Sequence, residues 1–253
     1  FRLTCGSCRK IPGKNSSNLK ISNMLSKNLL PYDIYERHKK VGRLVKNGQT
    51  VIDVGGQLNL LSQFTKPAKV LVANLERSEE KSDVILKKGH LPFNSNSFDV
   101  VTALDVLEHI PKKYRESFIK DLVRVAKDKV ILSFPIGTKE HIAYEKDLEK
   151  WLRSRGHLVN YLKEHLEYGL PQITEIENIT KNLNTTVTFS GNLKINEFLF
   201  KFYLFDPPIF LIRRLVFIAK KFFNLFTNPF FYTILSNRNF STKVVRAYFI
   251  ILK

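Results

Sequence analysis

The chain is short of cysteines, of acidic residues and of long apolar runs free of charge. Only two cysteines, Cys5 and Cys8, occur in 253 residues. That is too few for the disulfide framework of a small secreted domain, and it predicts a reducing, cytoplasmic environment. The N-terminus is polar and basic and lacks the apolar stretch of a secretory signal. A hydrophobic content of 43% is enough for one α/β domain with an addition.

The shortage of acidic residues is uneven along the chain. The whole chain carries a net charge of +18. Residues 1–50 hold 11 basic and 2 acidic residues, and residues 191–253 hold 10 and 2, whereas residues 51–190 hold 20 and 19. The central part is therefore near neutral. We expect the two flanks, rather than a central cleft, to meet an anionic surface such as a membrane.

Apolar runs alternate with helical patterns through the central part. We predict strands at 50–54, 69–73, 83–86, 98–103 and 129–134, and later at 185–189 and 244–252. Helices are predicted at 32–47, 58–65, 114–126, 140–155 and 173–183. Such alternation is typical of a mostly parallel sheet covered by helices on both faces.

The N-terminal segment, residues 1–31, is predicted to be an extension or linker. Its Cys5-Gly-Ser-Cys8 spacing would place two thiolates on one zinc ion. A structural zinc site needs four ligands, and no second cysteine pair or close histidine pair follows. We therefore predict no metal site, and interpret this stretch as the tail of a truncated domain.

Two motifs lie in residues 50–109. The first, Thr50-Val-Ile-Asp-Val-Gly-Gly-Gln-Leu-Asn59, is a short buried strand that enters a glycine turn, as suits a backbone that bends sharply and lets a ligand approach. The second runs from Leu91-Pro-Phe93 through the apolar strand 98–104 to Asp105-Val-Leu-Glu-His109. Together they resemble the class I S-adenosylmethionine-dependent methyltransferases, in the type 11-like branch.

That resemblance implies a Rossmann-like, seven-stranded, mostly parallel sheet with an antiparallel last strand. It also implies that S-adenosyl-L-methionine is the cofactor. Residues 32–190 would form the core and residues 243–253 the last core strand, with residues 191–242 as a helical insertion. The residues that the family pattern places at the cofactor are Asp53, Gly55, Gly56, Gln57, Asn74, Glu76, His90, Leu91 and Asp105.

The match to the family's glycine loop and ribose site is incomplete. Gln57 and Asn59 stand where the family has its second and third glycines, and Asn74 stands where it has a ribose-binding acid. Asn tolerates left-handed backbone, and Gln57 fits if its φ stays negative. Asn74 can accept a hydrogen bond but lacks the charge that would strengthen it, and Glu76 is a candidate substitute.

For catalysis, the resemblance points to Asp105 and His109. His109 can act as general base toward a hydroxyl acceptor, because the pKa of an ordinary histidine lies near neutrality. The alternative is that Glu108 and His109 only brace the following helix. The segment Glu164-His-Leu-Glu-Tyr-Gly-Leu-Pro171 is similar to one in methyltransferases that act on glycans or their lipid-linked precursors.

The predicted insertion is rich in aromatic residues. Residues 191–253 hold 16 of the 30 Phe, Tyr and Trp residues of the chain. A helix predicted at 208–226 is mostly apolar, with Arg213, Arg214, Lys220, Lys221 and Asn224 along one stripe. These charges exclude a membrane span. A helix in the membrane interface fits, with cations toward the headgroups, and packing against the sheet edge or a second copy fits equally well.

These observations leave three functions open. The first is an S-adenosylmethionine-dependent O-methyltransferase acting on a saccharide, lipid-linked or small-molecule acceptor at the inner face of a membrane. The second is a non-catalytic, membrane-associated binding or scaffold protein with a methyltransferase fold, because the departures from the family pattern cluster at the cofactor. The third, an RNA methyltransferase, is suggested only by charge. Nucleic acid is an unlikely partner, since the aromatics form apolar clusters rather than alternating with cations.

Overall fold

The computed structural model describes residues 27–66, 69–75, 81–86, 90–156 and 160–253. Cys5, Cys8 and Glu76 lie outside these ranges. The described part contains seven strands: β1 (Thr50–Val54), β2 (Lys69–Leu75), β3 (Val84–Leu86), β4 (Phe98–Leu104), β5 (Ala126–Pro135), β6 (Asn184–Ser190) and β7 (Arg246–Leu252). Each strand overlaps a run that the sequence predicts.

The seven strands form one sheet in the order β3-β2-β1-β4-β5-β7-β6. The pairs from β3 through β5 are parallel, whereas β7 pairs antiparallel with both β5 and β6. The predicted Rossmann-like sheet with an antiparallel last strand is therefore confirmed. From β1, the chain first adds β2 and β3 on one side of the sheet and then returns to add β4 on the other side. This change of side creates a crevice at the carboxyl ends of β1 and β4.

Alternate residues of the strands fill two separate cores. On one face Val51, Val100 and Ile131 pack against Val41 of the first helix. On the other face Ile52, Val101 and Leu132 pack against helices later in the chain. Successive strand residues point to opposite faces. Both faces are therefore covered by helices, as predicted for a parallel sheet.

Seven helices flank the sheet in the described residues. They are α1 (Tyr32–Leu44), α2 (Lys112–Val125), α3 (Lys139–Arg153), α4 (Asn160–Tyr168), α5 (Ile173–Thr180), α6 (Leu193–Leu204) and α7 (Phe210–Leu235). The helix predicted at 58–65 is only a 3-10 turn, Leu61–Gln63, because the chain must reach β2 within a few residues. The Leu-Glu-His motif is also a 3-10 turn, Leu107–His109, rather than the start of α2.

The segment between β6 and β7 consists of α6 and α7. Helix α7 is longer than predicted, with 26 residues, and continues through Pro229. Two members of its predicted polar stripe, Lys220 and Asn224, turn toward the protein, whereas Arg213, Arg214 and Lys221 are exposed. Asn224 and Asn228 are buried, and Lys220 donates hydrogen bonds to the carbonyl oxygens of Tyr203 and Phe205. The side chains that α7 exposes are consequently largely apolar.

None of the helices in the described ranges is long and apolar enough to cross a membrane. In α7 the cations Arg213, Arg214, Lys220 and Lys221 interrupt the apolar sequence.

The buried side chain of Arg115 ties the loop after β4 to the end of α4. Its guanidinium donates to the carbonyl oxygens of Leu107, Ile110 and Gly169 and pairs with Glu175 at 3.2 Å. It is only 1% exposed. Each of these acceptors would lose a partner if the guanidinium were removed.

We predict that Arg115→Ala lowers the free energy of unfolding by about 3–5 kcal/mol, because it leaves the partly buried Glu175 carboxylate and several carbonyl oxygens unpaired. Urea denaturation followed by circular dichroism measures this change. Arg153→Ala is the matched control, since Arg153 forms an exposed i,i+4 pair with Glu149 worth about 0.5 kcal/mol or less. Equal losses for the two variants would contradict the proposed role of Arg115.

Candidate functional site

The glycine turn after β1 forms one wall of the crevice. Gly55 has φ +80°, and its N–H donates to the carbonyl oxygen of Ala73 at 2.8 Å. A Cβ on Gly55 would lie 2.5 Å from Val106 Cγ2, and a Cβ on Gly56 would collide with the Asp53 carboxylate. The turn is therefore pressed against neighbouring side chains. Any side chain at Gly55 or Gly56 would therefore require Val106 or Asp53 to move.

Gln57 and Asn59, which replace family glycines, fit the turn as expected. Asn59 has φ +63°, whereas Gln57 is not among the described residues with positive φ. Asparagine adopts the left-handed region more readily than most residues. The two non-glycine residues are therefore compatible with the backbone of this turn.

Asp53 lies beneath this turn and is fully buried. Its Oδ1 accepts a hydrogen bond of 2.6 Å from the Thr102 hydroxyl, while its Oδ2 has no partner. Burial is the main reason that the pKa of this carboxyl rises to about 6, against the lowering effects of Thr102 and Arg37. Asp53 thus packs under the turn, and its carboxylate oxygen Oδ2 forms no hydrogen bond.

At the tip of β2, the side chain of Asn74 bridges to the glycine turn. Its Nδ2 donates to the carbonyl oxygen of Gly56 at 2.9 Å. The amide oxygen remains the group that can accept a ribose hydroxyl. Asn74 is therefore placed at the crevice, with its amino group used to hold the turn.

Leu91 and His90 differ in what they can offer a cofactor. Leu91 is buried, and its N–H donates to Asp121 Oδ2 at 2.5 Å. The His90 side chain is 81% exposed and lies 3.7 Å from Asp121. Leu91 can supply an apolar surface, whereas the His90 side chain lies largely in solvent. Glu76 lies outside the described residues, so its predicted role stays a prediction.

Asp105 follows β4 with φ +55°. Its Oδ2 accepts hydrogen bonds from two buried arginines, Arg37 of α1 and Arg246 of β7, the latter at 2.6 Å. Arg246 also lies 3.9 Å from Glu36. A carboxylate held by two guanidinium groups is strongly stabilised in its charged form. Asp105 is placed at the crevice as predicted, but this pairing makes it a charge anchor and a poor proton acceptor.

A large pocket opens beside Asp105 at the carboxyl ends of β4 and β5. Its empty volume is about 970 Å³, including space open to solvent. We call it the acceptor pocket. Its lining comes from α1, the loop after β4, the end of β5, α3, α4, α6 and the start of β7, and includes Asp105, Glu108, His109, His141, Tyr144, Glu145, Tyr161, His165, Asn196, Phe200, Tyr203 and Arg246.

Two histidines of the pocket are held by carboxylates. His109 Nδ1 lies 2.7 Å from Glu164 Oε2, and His165 Nδ1 lies 2.9 Å from Glu145 Oε1. Burial and the neighbouring His165 lower the pKa of His109 to about 4. Burial alone would lower the pKa of His165, but the hydrogen bond and charge of Glu145 outweigh burial and raise it. His109 is therefore neutral near pH 7 and only weakly basic.

The structure adds site residues that the sequence does not single out. Arg37 and Arg246 are 209 positions apart in the chain and meet at Asp105. His141 and Glu145 are four residues apart on α3, so they share one helix face. That spacing is a sequence signal for a polar helix face toward a pocket. Nothing in the sequence pairs the two arginines.

Comparison with known proteins agrees with this architecture. Residues 57–134 match the family model described as "Methyltransferase domain". That range includes the end of the glycine turn, β2 through β4, and most of β5. No curated protein matches the chain by sequence.

Solved structures show a similar fold. A SAM-dependent methyltransferase from Archaeoglobus fulgidus superposes with a TM-score of 0.51 at 10% identity, over 88% of this chain and 94% of that one. A phosphoethanolamine N-methyltransferase 2 from Haemonchus contortus gives 0.48 at 16% identity, over 92% and 58%. A mycolic acid cyclopropane synthase gives 0.47 at 15% identity, over 92% and 94%. At 10% identity, the likeness to the Archaeoglobus fulgidus structure concerns the fold alone.

We predict a specific pH dependence of stability from Asp53. Its folded pKa of about 6 lies above the unfolded value of about 3.9. The stability that the protonated carboxyl contributes is complete below about pH 4 and is lost as pH rises through about 6. Asp53→Asn mimics the protonated form, so its stability relative to wild type should rise by about 2 kcal/mol between pH 4.5 and 7.5.

Urea unfolding at several pH values measures this difference. Asp147→Asn, which makes the same change at an exposed position of α3, is the control and should parallel wild type. A constant difference between Asp53→Asn and wild type across this range would show that folding does not raise the pKa of Asp53.

Proposed function

We propose that this chain is a class I, S-adenosylmethionine-dependent methyltransferase that methylates an oxygen of a saccharide, lipid-linked or small-molecule acceptor held in the acceptor pocket. One observation carries this proposal: the pocket adjoins the cofactor crevice at Asp105 and is lined by polar side chains.

The residues at the crevice fit the cofactor. Gly55 and Gly56 let the turn pack closely against Val106 and Asp53, Asn74 offers an amide oxygen, and Leu91 offers an apolar surface. The cofactor supplies a methyl group on an already activated sulfonium, so the protein's main task is in-line positioning. Because Asn74 is neutral, we expect weaker ribose recognition than an acidic residue would give.

The pocket suits an acceptor with several hydroxyl groups. Tyr144, Tyr161, Asn196 and the pocket histidines place donors and acceptors along a wall that is otherwise apolar. His109 is neutral and is held through Nδ1 by Glu164, the arrangement of a base with an orienting carboxylate. It is the candidate general base, and its lowered pKa limits the strength of this base.

The insertion supports an acceptor that is held at a membrane. Helix α6 lines the pocket through Asn196, Phe200 and Tyr203. Helix α7 exposes apolar side chains, including Phe210 at 73%, Leu211 at 65%, Phe222 at 57%, Phe226 at 73% and Phe230 at 61%. An exposed apolar surface of this kind marks an interaction site.

A lipid surface fits α7 better than a second copy of the chain does. Arg214 and Lys221 are exposed on the same helix as the apolar side chains. In a symmetric dimer these cations would approach their counterparts and repel, whereas anionic headgroups attract them, each by about 1 kcal/mol. The net positive charge of residues 191–253 agrees with this choice.

A non-catalytic role is the second candidate. It is favoured by the Asn74 amino group, which is occupied by Gly56, and by the pairing of Asp105 with two arginines. The two candidates differ in cofactor binding, which the next experiment measures.

We predict that the protein binds S-adenosylmethionine in isothermal titration and that Gly55→Ala weakens this binding at least tenfold. The added Cβ would strain the positive φ and displace Val106. Gly48→Ala is the matched control, because Gly48 has φ +81° and nothing within 4 Å of a Cβ. The control should lose stability without losing affinity. Absence of binding heat with the unaltered protein would exclude the enzymatic proposal.

We predict that vesicles of phosphatidylglycerol and phosphatidylcholine carry the protein upward in flotation. Phe222→Glu combined with Phe226→Glu should reduce the bound fraction several-fold, because both side chains would enter the apolar interface. Tyr114→Glu is the control, since Tyr114 is 53% exposed on α2, far from α7 in the chain. Equal flotation of the double variant and the control, with dimers in sedimentation, would instead support a second copy as the occupant.

A further inference from the structure

Three metal-ligand side chains converge at one end of the acceptor pocket. Glu108 and His109 come from the turn after β4, and His165 comes from α4. Each can offer one ligand atom, and these atoms lie within 4.8 Å of one another. We propose that Glu108, His109 and His165 bind a divalent transition-metal ion, an assignment that goes beyond the methyltransferase function.

The two most buried members of this cluster have atoms without partners. Glu108 is 1% exposed and His165 is 5% exposed. Glu108 Oε2 and His165 Nε2 form no hydrogen bond. Leaving such buried atoms without a hydrogen-bond partner destabilises the folded state. A bound cation would satisfy both at once.

Carboxylates already orient both imidazole rings for coordination. Glu164 engages Nδ1 of His109, and Glu145 engages Nδ1 of His165. A carboxylate on one ring nitrogen fixes the tautomer and leaves Nε2 as the ligand atom, the arrangement found around most metal-bound histidines. The two rings lie 4.9 Å apart between centroids. Glu164 and Glu145 thus already hold the two histidine ligands in orientations that suit coordination.

The donor set indicates the class of ion. Two imidazole nitrogens and one carboxylate oxygen favour zinc, iron, cobalt or nickel over magnesium or calcium, which prefer oxygen ligands. Ligand distances near 2.0–2.2 Å would require the three side chains to close in by less than about 1 Å each. A three-residue site also leaves coordination positions for a further ligand.

The position of the site suggests what that further ligand is. All three residues line the acceptor pocket, so an acceptor oxygen can complete the coordination. This role rests on the proposed methyl transfer. The ion would lower the pKa of a bound hydroxyl, which loses its proton to water. The oxygen then bonds to the methyl carbon as the carbon–sulfur bond breaks. His109 would serve as a ligand in this scheme instead of as a base.

Ion binding can be tested without any methyl transfer. The full chain would carry Cys5→Ser and Cys8→Ser, so that the N-terminal thiols cannot bind the ion. After treatment with a chelator and its removal, this background protein is titrated with Co²⁺ and then Zn²⁺. We expect one equivalent of Co²⁺ with visible absorption typical of nitrogen and oxygen ligands, displaced by Zn²⁺.

Four variants in this background locate the site. His165→Asn and His109→Asn keep a side-chain donor near the position of Nδ1 and remove Nε2, and Glu108→Gln removes the charge at similar shape. Each should weaken Zn²⁺ binding at least tenfold. Glu164→Gln, which changes only the orienting group, should weaken it about 10- to 100-fold. His90→Gln, at an exposed position, is the control for stoichiometry and should bind Zn²⁺ as the background protein does.

Two results would overturn the proposal. One is that the background protein binds neither ion in these titrations. The other is that His165→Asn binds Zn²⁺ as tightly as the background protein. Thermal unfolding in chelator shows whether each variant is folded, and Glu164→Gln, whose parent side chain is 42% exposed, remains informative if a buried variant is not. Failure of S-adenosylmethionine to bind would leave these outcomes unchanged.

Discussion

The cluster of side-chain ion pairs around Asp105 connects three distant parts of the chain. Arg37 from α1 and Arg246 from β7 both donate to its carboxylate, which follows β4. Glu36 lies beside Arg246 and accepts a hydrogen bond from Tyr248. Buried charges of this kind persist only when each has a partner. The placement of the first helix and the last strand on the sheet, and hence the shape of the crevice and the pocket, depends on this cluster.

The sheet could be predicted because its strands are encoded locally. Val51 to Val54 and Phe98 to Leu104 are short apolar runs, and a motif of known family type follows each one. Helix α7 could be predicted only in part. Its apolar content is evident, but the side that faces the protein depends on Asn224 and Asn228 finding carbonyl oxygens near residues 28–30. Those partners are about 200 positions away, and no local pattern indicates them.

The candidate site could likewise be predicted only in part from the sequence. Asp53, Gly55, Gly56, Asn74 and Asp105 were named from the motifs, and the structure places them around one crevice. Their proposed roles stay predictions, although the pairing of Asp105 changes the chemistry expected of it. His165 and Glu145 meet only because α3 and α4 pack together. The sequence could not indicate this contact, since it depends on tertiary packing between two helices that each carry many charges.

The hydrogen bonds of Asn224 and Asn228 have a mechanical consequence. They attach the middle of α7 to the chain immediately before α1, and Tyr32 of α1 also donates to the carbonyl oxygen of Phe231. Helix α1 in turn carries Arg37 into the cluster at Asp105. A tilt of α7 would therefore act through α1 on the boundary between crevice and pocket. Whatever α7 rests on is mechanically connected to the site where the two ligands would meet.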